Sequence, residues 1–258
     1  MNLHDLAAQL YTVRTLCQTP RQTAATLQKI QSIGYRAVEV AGICPIDSSE
    51  LLQMTGDAGL TICAMHDDPN TILNEPQKVI ERLDALGCEF GVYSYPVGFD
   101  LGKAVDVQTL VDKLISAGTA FRAAGKTLCY HHHSLEFARY GKHTVLEHVV
   151  QTINPASLSI ELDTYWVQHG GGVPADWCTR LKNRLPVLHL KDYGSIGGTP
   201  TMMEVGRGNF DWVKIIAAAK KSGCRWFVVE QDTCPGNPLD SLKISYDYLH
   251  SNFISPAT

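Results

Sequence analysis

A chain of 258 residues with 45% hydrophobic and 19% charged residues has the apolar material for a sizeable core and too little charge for a disordered one. Its net charge of −4 argues against a nucleic-acid surface, which needs a basic patch. No apolar run reaches the roughly 18 residues of a membrane helix, and the opening MNLHDLAAQLYTVR lacks the basic-then-apolar pattern of a secretory leader.

The first apolar run, LAAQLY (6–11), carries Gln9 near its end. RQTAATLQKIQSIG then places Ala24, Leu27, Ile30 and Ile33 at helical spacing and stops at Gly34. AVEVAG (37–42) carries Glu39, LTICAMH (60–66) ends on His66, and EFGVYSY (89–95) follows. A second helical pattern, VDKLISAGTAFRAAG, stops at Gly125 before TLCYHHH (127–133), and Glu136 lies just beyond. LSIELD (158–163) offers Glu161 and Asp163, and PVLHLKD (186–192) offers His189, Lys191 and Asp192. GSIGGTP (194–200), with three glycines, reads as a mobile loop. FDWVKIIAAAKKSG is helical up to Gly223, and WFVVEQD (226–232) closes the series with Glu230 and Asp232. The eight cysteines form no CxxC pair, and several lie inside these apolar runs, which marks reduced core thiols of a cytoplasmic protein.

Eight candidate strands alternating with helices predict parallel strands, right-handed crossovers and a closed (β/α)8 barrel, one domain over residues 1–258. A doubly wound sheet would carry a glycine-rich phosphate loop after the first strand, and none follows LAAQLY. Polar residues collect at the ends of the runs. Burying ionised groups costs several kcal/mol each unless they are paired or bind a cation, and the C-terminal end of a barrel is where active sites are built. Strand parity puts His189 with Lys191, Glu161 with Asp163, and Glu230 with Asp232 on shared faces. The same parity forbids the triplet His131, His132, His133 from serving one ion together from a regular strand. One imidazole and three carboxylates from strands five to eight suit one divalent metal ion, Mn²⁺, Mg²⁺, Co²⁺ or Zn²⁺, with positions open to substrate.

The segments QLYTVR, GYRAVEVAG, YHHHSLEF, ELDTYWV, HLKDY, EVGRGNFDW and VVEQDT, in that order over residues 8–233, resemble the xylose-isomerase-like TIM barrel superfamily. That group holds sugar isomerases and epimerases, inosose dehydratase and endonuclease IV. The resemblance implies metal ligands at Asp163, His189 and Glu230. Relatives with a YHNHDFEF-like segment imply Glu136 as the fourth ligand, whereas ketose 3-epimerases place a glutamate where this chain has His131. Glu136 is the choice here, with His131 and His133 beside the metal or touching substrate. Two departures bear on the substrate: Trp166 stands where a histidine follows LDT in ketose 3-epimerases, and Arg207 where many relatives have glutamate.

The implied activity is a sugar or keto-sugar isomerase or epimerase working by proton transfer through a metal-stabilised enediolate, with Glu136, Glu230 and Lys191 catalytic. Gln9, Glu39, His66, His131, His133, Trp166 and Lys191 are then expected to contact a small carbohydrate. A lyase or dehydratase on a keto-polyol or 3-keto-glycoside would share the intermediate, and a non-catalytic metal- or sugar-binding barrel is the reading from another class. No phosphate cradle or cluster of Arg and Lys supports a phosphorylated substrate, no nucleic-acid or membrane partner is expected, and a homodimer is left open.

Overall fold

The computed structural model describes residues 1–254. Eight parallel strands pair in chain order and close on themselves. They are β1 Leu6–Gln9, β2 Ala37–Val40, β3 Thr61–Asp67, β4 Phe90–Tyr93, β5 Thr127–His131, β6 Ser159–Asp163, β7 Val187–Leu190 and β8 Trp226–Val229. β8 returns to β1 with Phe227 opposite Leu6. This is the (β/α)8 barrel that the alternation of runs predicts.

The helices expected at three glycines run Pro20–Ile33, Ala104–Ala123 and Trp212–Lys221. The first is capped at its start by the Thr19 side chain, which accepts from Gln22 N. It stops because Gly34 turns to φ 132° against the Tyr246 ring, where no side chain would fit.

Two layers of side chains fill the barrel. The lower one is small and apolar: Ala7, Ala37, Cys63, Ala64, Phe90, Val92, Cys129, Val187 and Val228 form a buried cluster separate from the larger core between strands and helices. Two residues further along the strands the inward positions turn polar, as Ala7 gives way to Gln9, Ala37 to Glu39, Cys129 to His131, Val187 to His189 and Val228 to Glu230.

The segment 194–200 is not a loose loop. Asp192–Ile196 pairs antiparallel with Thr199–Met203, and Gly197 and Gly198, at φ 58° and 83°, make the turn. Two glycines with positive φ are what a tight hairpin requires, so they fix a conformation rather than free one. No helix among the described residues is long and apolar enough to cross a membrane.

Candidate metal and substrate site

At the C-terminal end of the barrel, His131, Asp163, His189 and Glu230 each present a donor atom within 4.8 Å of the others. Their exposure is 0–5%. His189 Nδ1 lies 2.9 Å from Glu230 Oε2 and 3.9 Å from Asp163 Oδ2. Asp163 also caps the following helix, its Oδ1 accepting from Trp166 N at 3.0 Å, so one carboxylate fixes the loop and points its other oxygen into the cluster.

A second polar layer supports the first from below. Glu39 Oε2 lies 2.7 Å from His189 Nε2, and Glu161 Oε2 lies 3.1 Å from His131 Nδ1. His66 Nε2 bridges these carboxylates, 2.9 Å from Glu161 Oε2 and 3.2 Å from Glu39 Oε1, with Gln9 Nε2 at 3.4 Å. Beside the upper cluster, the fully buried Lys191 ammonium sits 2.7 Å from Glu230 Oε2, 2.9 Å from Asp163 Oδ2 and 3.0 Å from Asp232 Oδ2.

Charge balance follows from these contacts. Burial opposes protonation of His66, but Glu161 and Glu39 outweigh it and lift its pKa to about 10. His189 is likewise raised, against burial, by Glu161, Glu39 and Glu230. Burial and the neighbouring imidazoles hold His131 neutral. Burial would protonate Glu230, yet Lys191 and His189 keep it ionised, whereas burial lifts Asp163 to about 6 despite Lys191.

The donor set fits a divalent cation. Two imidazoles and two carboxylates converge, and each imidazole has one nitrogen beside a buried carboxylate outside the set, His131 Nδ1 beside Glu161 and His189 Nε2 beside Glu39, the arrangement that orients metal-binding histidines. Asp163 Oδ2 and His131 Nδ1 make no aligned hydrogen bond despite their close charged neighbours.

Of the four ligands expected, the structure brings Asp163, His189 and Glu230 together and leaves Glu136 out. Tyr130, next to the inward His131, points outward, and the chain turns back over it. Glu136 Oε1 accepts from the Tyr130 hydroxyl at 2.9 Å and Oε2 from His133 N at 2.8 Å, fully buried on the outer side of β5. Burial lifts its pKa to about 7. His131 takes the place in the cluster. His132 also faces outward: its Nε2 accepts from Asp163 N and its Nδ1 donates to His133 O, which staples β5 to β6.

A cavity of about 420 Å³ opens over the cluster, lined by His66, His131, His133 and Glu230 together with Tyr11, Ala41, Gly42, Asp67, Asp68, Ser94, Tyr95 and Asp232. Gln9, Glu39, Lys191 and Trp166, expected to touch substrate, are not among its lining. The first two lie beneath His66, Lys191 is sealed under three carboxylates, and Trp166 stands behind His133, ring centroids 5.3 Å apart. Sequence reasoning missed Tyr11, Asp67, Asp68 and Tyr95. The signal for two of them was the acidic pair directly after His66; the tyrosines carried none.

Asp192 explains the motif around Gly206 and Gly208. Its carboxylate accepts from Tyr193 N, Gly206 N, Gly208 N and Trp212 Nε1, the last at 2.8 Å, and a Cβ on Gly208 would overlap it. The motif therefore ties the hairpin and the loop after it to the end of β7. Glu204 turns inward to accept from Ser241 Oγ at 2.7 Å, while Arg207 stays exposed.

A closed parallel barrel with a histidine and carboxylate cluster at the C-terminal ends of its strands defines the class. The chain belongs to the xylose isomerase-like TIM barrel family, whose sequence profile matches residues 27–251. Among solved structures it is similar to a sugar phosphate isomerase/epimerase from Parabacteroides distasonis, with TM-score 0.79 and 22% identity over 97% of this chain and 95% of that one. It is also similar to a xylose isomerase-like TIM barrel protein from Mycobacterium smegmatis in complex with magnesium, TM-score 0.75, 12% identity and 97% coverage of both. A probable 3-DHS dehydratase from Bacillus anthracis gives TM-score 0.72 and 13% identity over 98% of this chain and all of that one. At these identities the likeness is one of fold. No curated protein matches the chain.

Proposed function

We propose that the protein is a divalent-metal-dependent sugar or keto-sugar isomerase or epimerase, with His131, Asp163, His189 and Glu230 holding the cation. The observation that carries the reading is the convergence of two imidazoles and two carboxylates, each imidazole backed by a buried carboxylate, beneath a cavity of about 420 Å³. A cation there would polarise a substrate carbonyl and stabilise the enediolate left when the neighbouring carbon loses a proton.

The chain's own groups divide the remaining work. Glu230, ionised and lining the cavity, is the base in this reading: returning the proton to the adjacent carbon gives isomerisation, whereas epimerisation needs a second donor on the opposite face of the substrate. Lys191 fixes the oxygens of Glu230 and Asp163 from behind. His66, cationic between Glu161 and Glu39, reaches the cavity from β3 and is placed to donate to a substrate oxygen. The faces of Tyr11 and Tyr95 suit the C–H surface of a sugar ring. Glu136, with both oxygens engaged outside the barrel, takes no part. The eight free cysteines, five of them buried, suit a reducing compartment such as the cytoplasm.

The test is exchange. Metal-loaded protein in deuterated water is expected to place deuterium beside the carbonyl of at least one ketopentose or ketohexose, and Glu230→Gln to abolish it. A metal-replete protein that binds sugars and exchanges none of a full panel is a binding barrel, not an isomerase.

A further inference from the structure

We propose that the four-residue centre selects a cation that favours imidazole, Zn²⁺ or Co²⁺, over Mg²⁺, and that His131 is the residue that sets this preference. The inference rests on the metal reading above and narrows it.

Donor type is the first argument. Imidazole nitrogen suits the later first-row metals, whereas Mg²⁺ wants oxygen ligands in a near-ideal octahedron and keeps several of its waters. Half of this donor set is nitrogen, from His131 and His189. The carboxylates behind them, Glu161 at 3.1 Å from His131 Nδ1 and Glu39 at 2.7 Å from His189 Nε2, raise the basicity of the rings and strengthen bonds to nitrogen.

The second argument is charge. A hard cation is held mainly by the negative charge of its oxygen ligands. Here only Asp163 and Glu230 supply it, and the Lys191 ammonium already lies within 3 Å of both, at 2.9 and 2.7 Å. The ion pairs of Lys191 are all to carboxylates, so its competition falls on the oxygen donors and not on the imidazoles. Space is the third argument. Asp163 and His189 are fully buried and His131 and Glu230 nearly so, which leaves only the cavity side for the waters that Mg²⁺ retains.

The experiment is competitive equilibrium dialysis of the chelator-stripped full chain against equal concentrations of Zn²⁺, Co²⁺, Mn²⁺ and Mg²⁺, with bound metal counted by mass spectrometry. Co²⁺ binding is followed separately by its visible d–d absorption. Wild-type protein is expected to take up Zn²⁺ and Co²⁺ in preference to Mg²⁺ by at least about tenfold. His131→Glu, which exchanges an imidazole for a third carboxylate, is expected to shift the ratio toward Mg²⁺ and Mn²⁺ and to change the Co²⁺ spectrum. His131→Ala is expected to weaken Zn²⁺ on the order of a hundredfold while leaving the weak Mg²⁺ binding little changed. Wild-type retention of Mg²⁺ at parity with Zn²⁺ and Co²⁺, or an unchanged preference in both variants, overturns the inference and leaves the metal centre standing. A folded wild-type chain that retains none of the four metals overturns the centre itself and this inference with it.

Discussion

Lys191→Met keeps the length of the side chain and most of its apolar stem and removes the ammonium alone. That ammonium lies within 3.0 Å of oxygens from Asp163, Glu230 and Asp232, and Lys191 and Asp163 are fully buried. Removing one partner of a buried charge group costs about 3–5 kcal/mol, because the other charges are left without compensation. Protonation offers a partial escape. Burial already lifts Asp163 to about 6 with the lysine present, and without it the carboxyl takes up a proton more readily still. The loss at neutral pH therefore falls at the lower end, about 3 kcal/mol. For a chain of this size it is a fall in Tm of about 6–12 °C. Because the variant's folded state binds protons more tightly than its unfolded state, its deficit grows as pH rises through 6 and shrinks below it. A divalent cation at the proposed centre would supply the missing positive charge, so Zn²⁺ is expected to raise the variant's Tm more than the wild type's. Thermal unfolding of chelator-stripped protein at pH 5.5 and 7.5, with and without Zn²⁺, measures all three effects. A deficit below about 1 kcal/mol at pH 7.5, or one that does not change with pH, would refute the charge balance argued for this site.

Glu136→Gln is expected to leave metal retention unchanged and to flatten the pH dependence of stability. Its folded pKa of about 7 lies above its ordinary 4.5, so its contribution is fully present below pH 4.5 and lost as pH rises through 7. The span is about 3 kcal/mol, read as the difference in urea midpoints between wild type and variant across that window. Gly208→Ala should destabilise by about 1–3 kcal/mol, since its methyl overlaps the Asp192 carboxylate and the Tyr193 carbonyl, and an unchanged Tm would contradict the tether assigned to Asp192. Asp67, Asp68 and Asp232 line the cavity while no Lys or Arg among the described residues does, so titration calorimetry should show sorbitol binding more tightly than sorbitol 6-phosphate. Asp68→Ser, which keeps a helix cap, should narrow that gap, and tighter binding of the phosphate by wild type would count against the reading.

The fold was legible because two periodicities agree. Runs such as AVEVAG and LSIELD alternate aliphatic residues with small or ionisable ones at period two, which places the small and ionisable set inside the barrel with its ionisable members toward the C-terminal end. The stretches between them repeat at helical spacing and stop at glycines, which have positive φ at 34, 125 and 223. What misled was composition without pairing. GSIGGTP has the glycine content of a loose loop, but Thr199–Met203 gives its first half a partner strand, and pairing between the two halves of a hairpin is not visible in either half alone.

The site was legible only as far as the strands extend. Parity paired Glu161 with Asp163 and Glu230 with Asp232 on shared faces, turned one acid of each pair and His189 inward, and allowed at most His131 and His133 of the triplet to face the pocket together. It stopped reporting direction once β5 ended at His131 and the chain entered the short helical turn Leu135–Phe137. Spacing along the sequence then says nothing about where Glu136 points. Hydrogen-bond supply decides it. Outside β5, the Tyr130 hydroxyl and the His133 amide satisfy Glu136 without any cation. Inside the barrel carboxylates outnumber cations, since Glu39, Glu161, Asp163, Glu230 and Asp232 face only His66, His189 and Lys191, and Glu161 Oε1 is left without a hydrogen bond. A carboxylate that is fully provided for has no need of a metal ion, while a layer short of positive charge does, and that imbalance favours His131 over Glu136 as the fourth ligand.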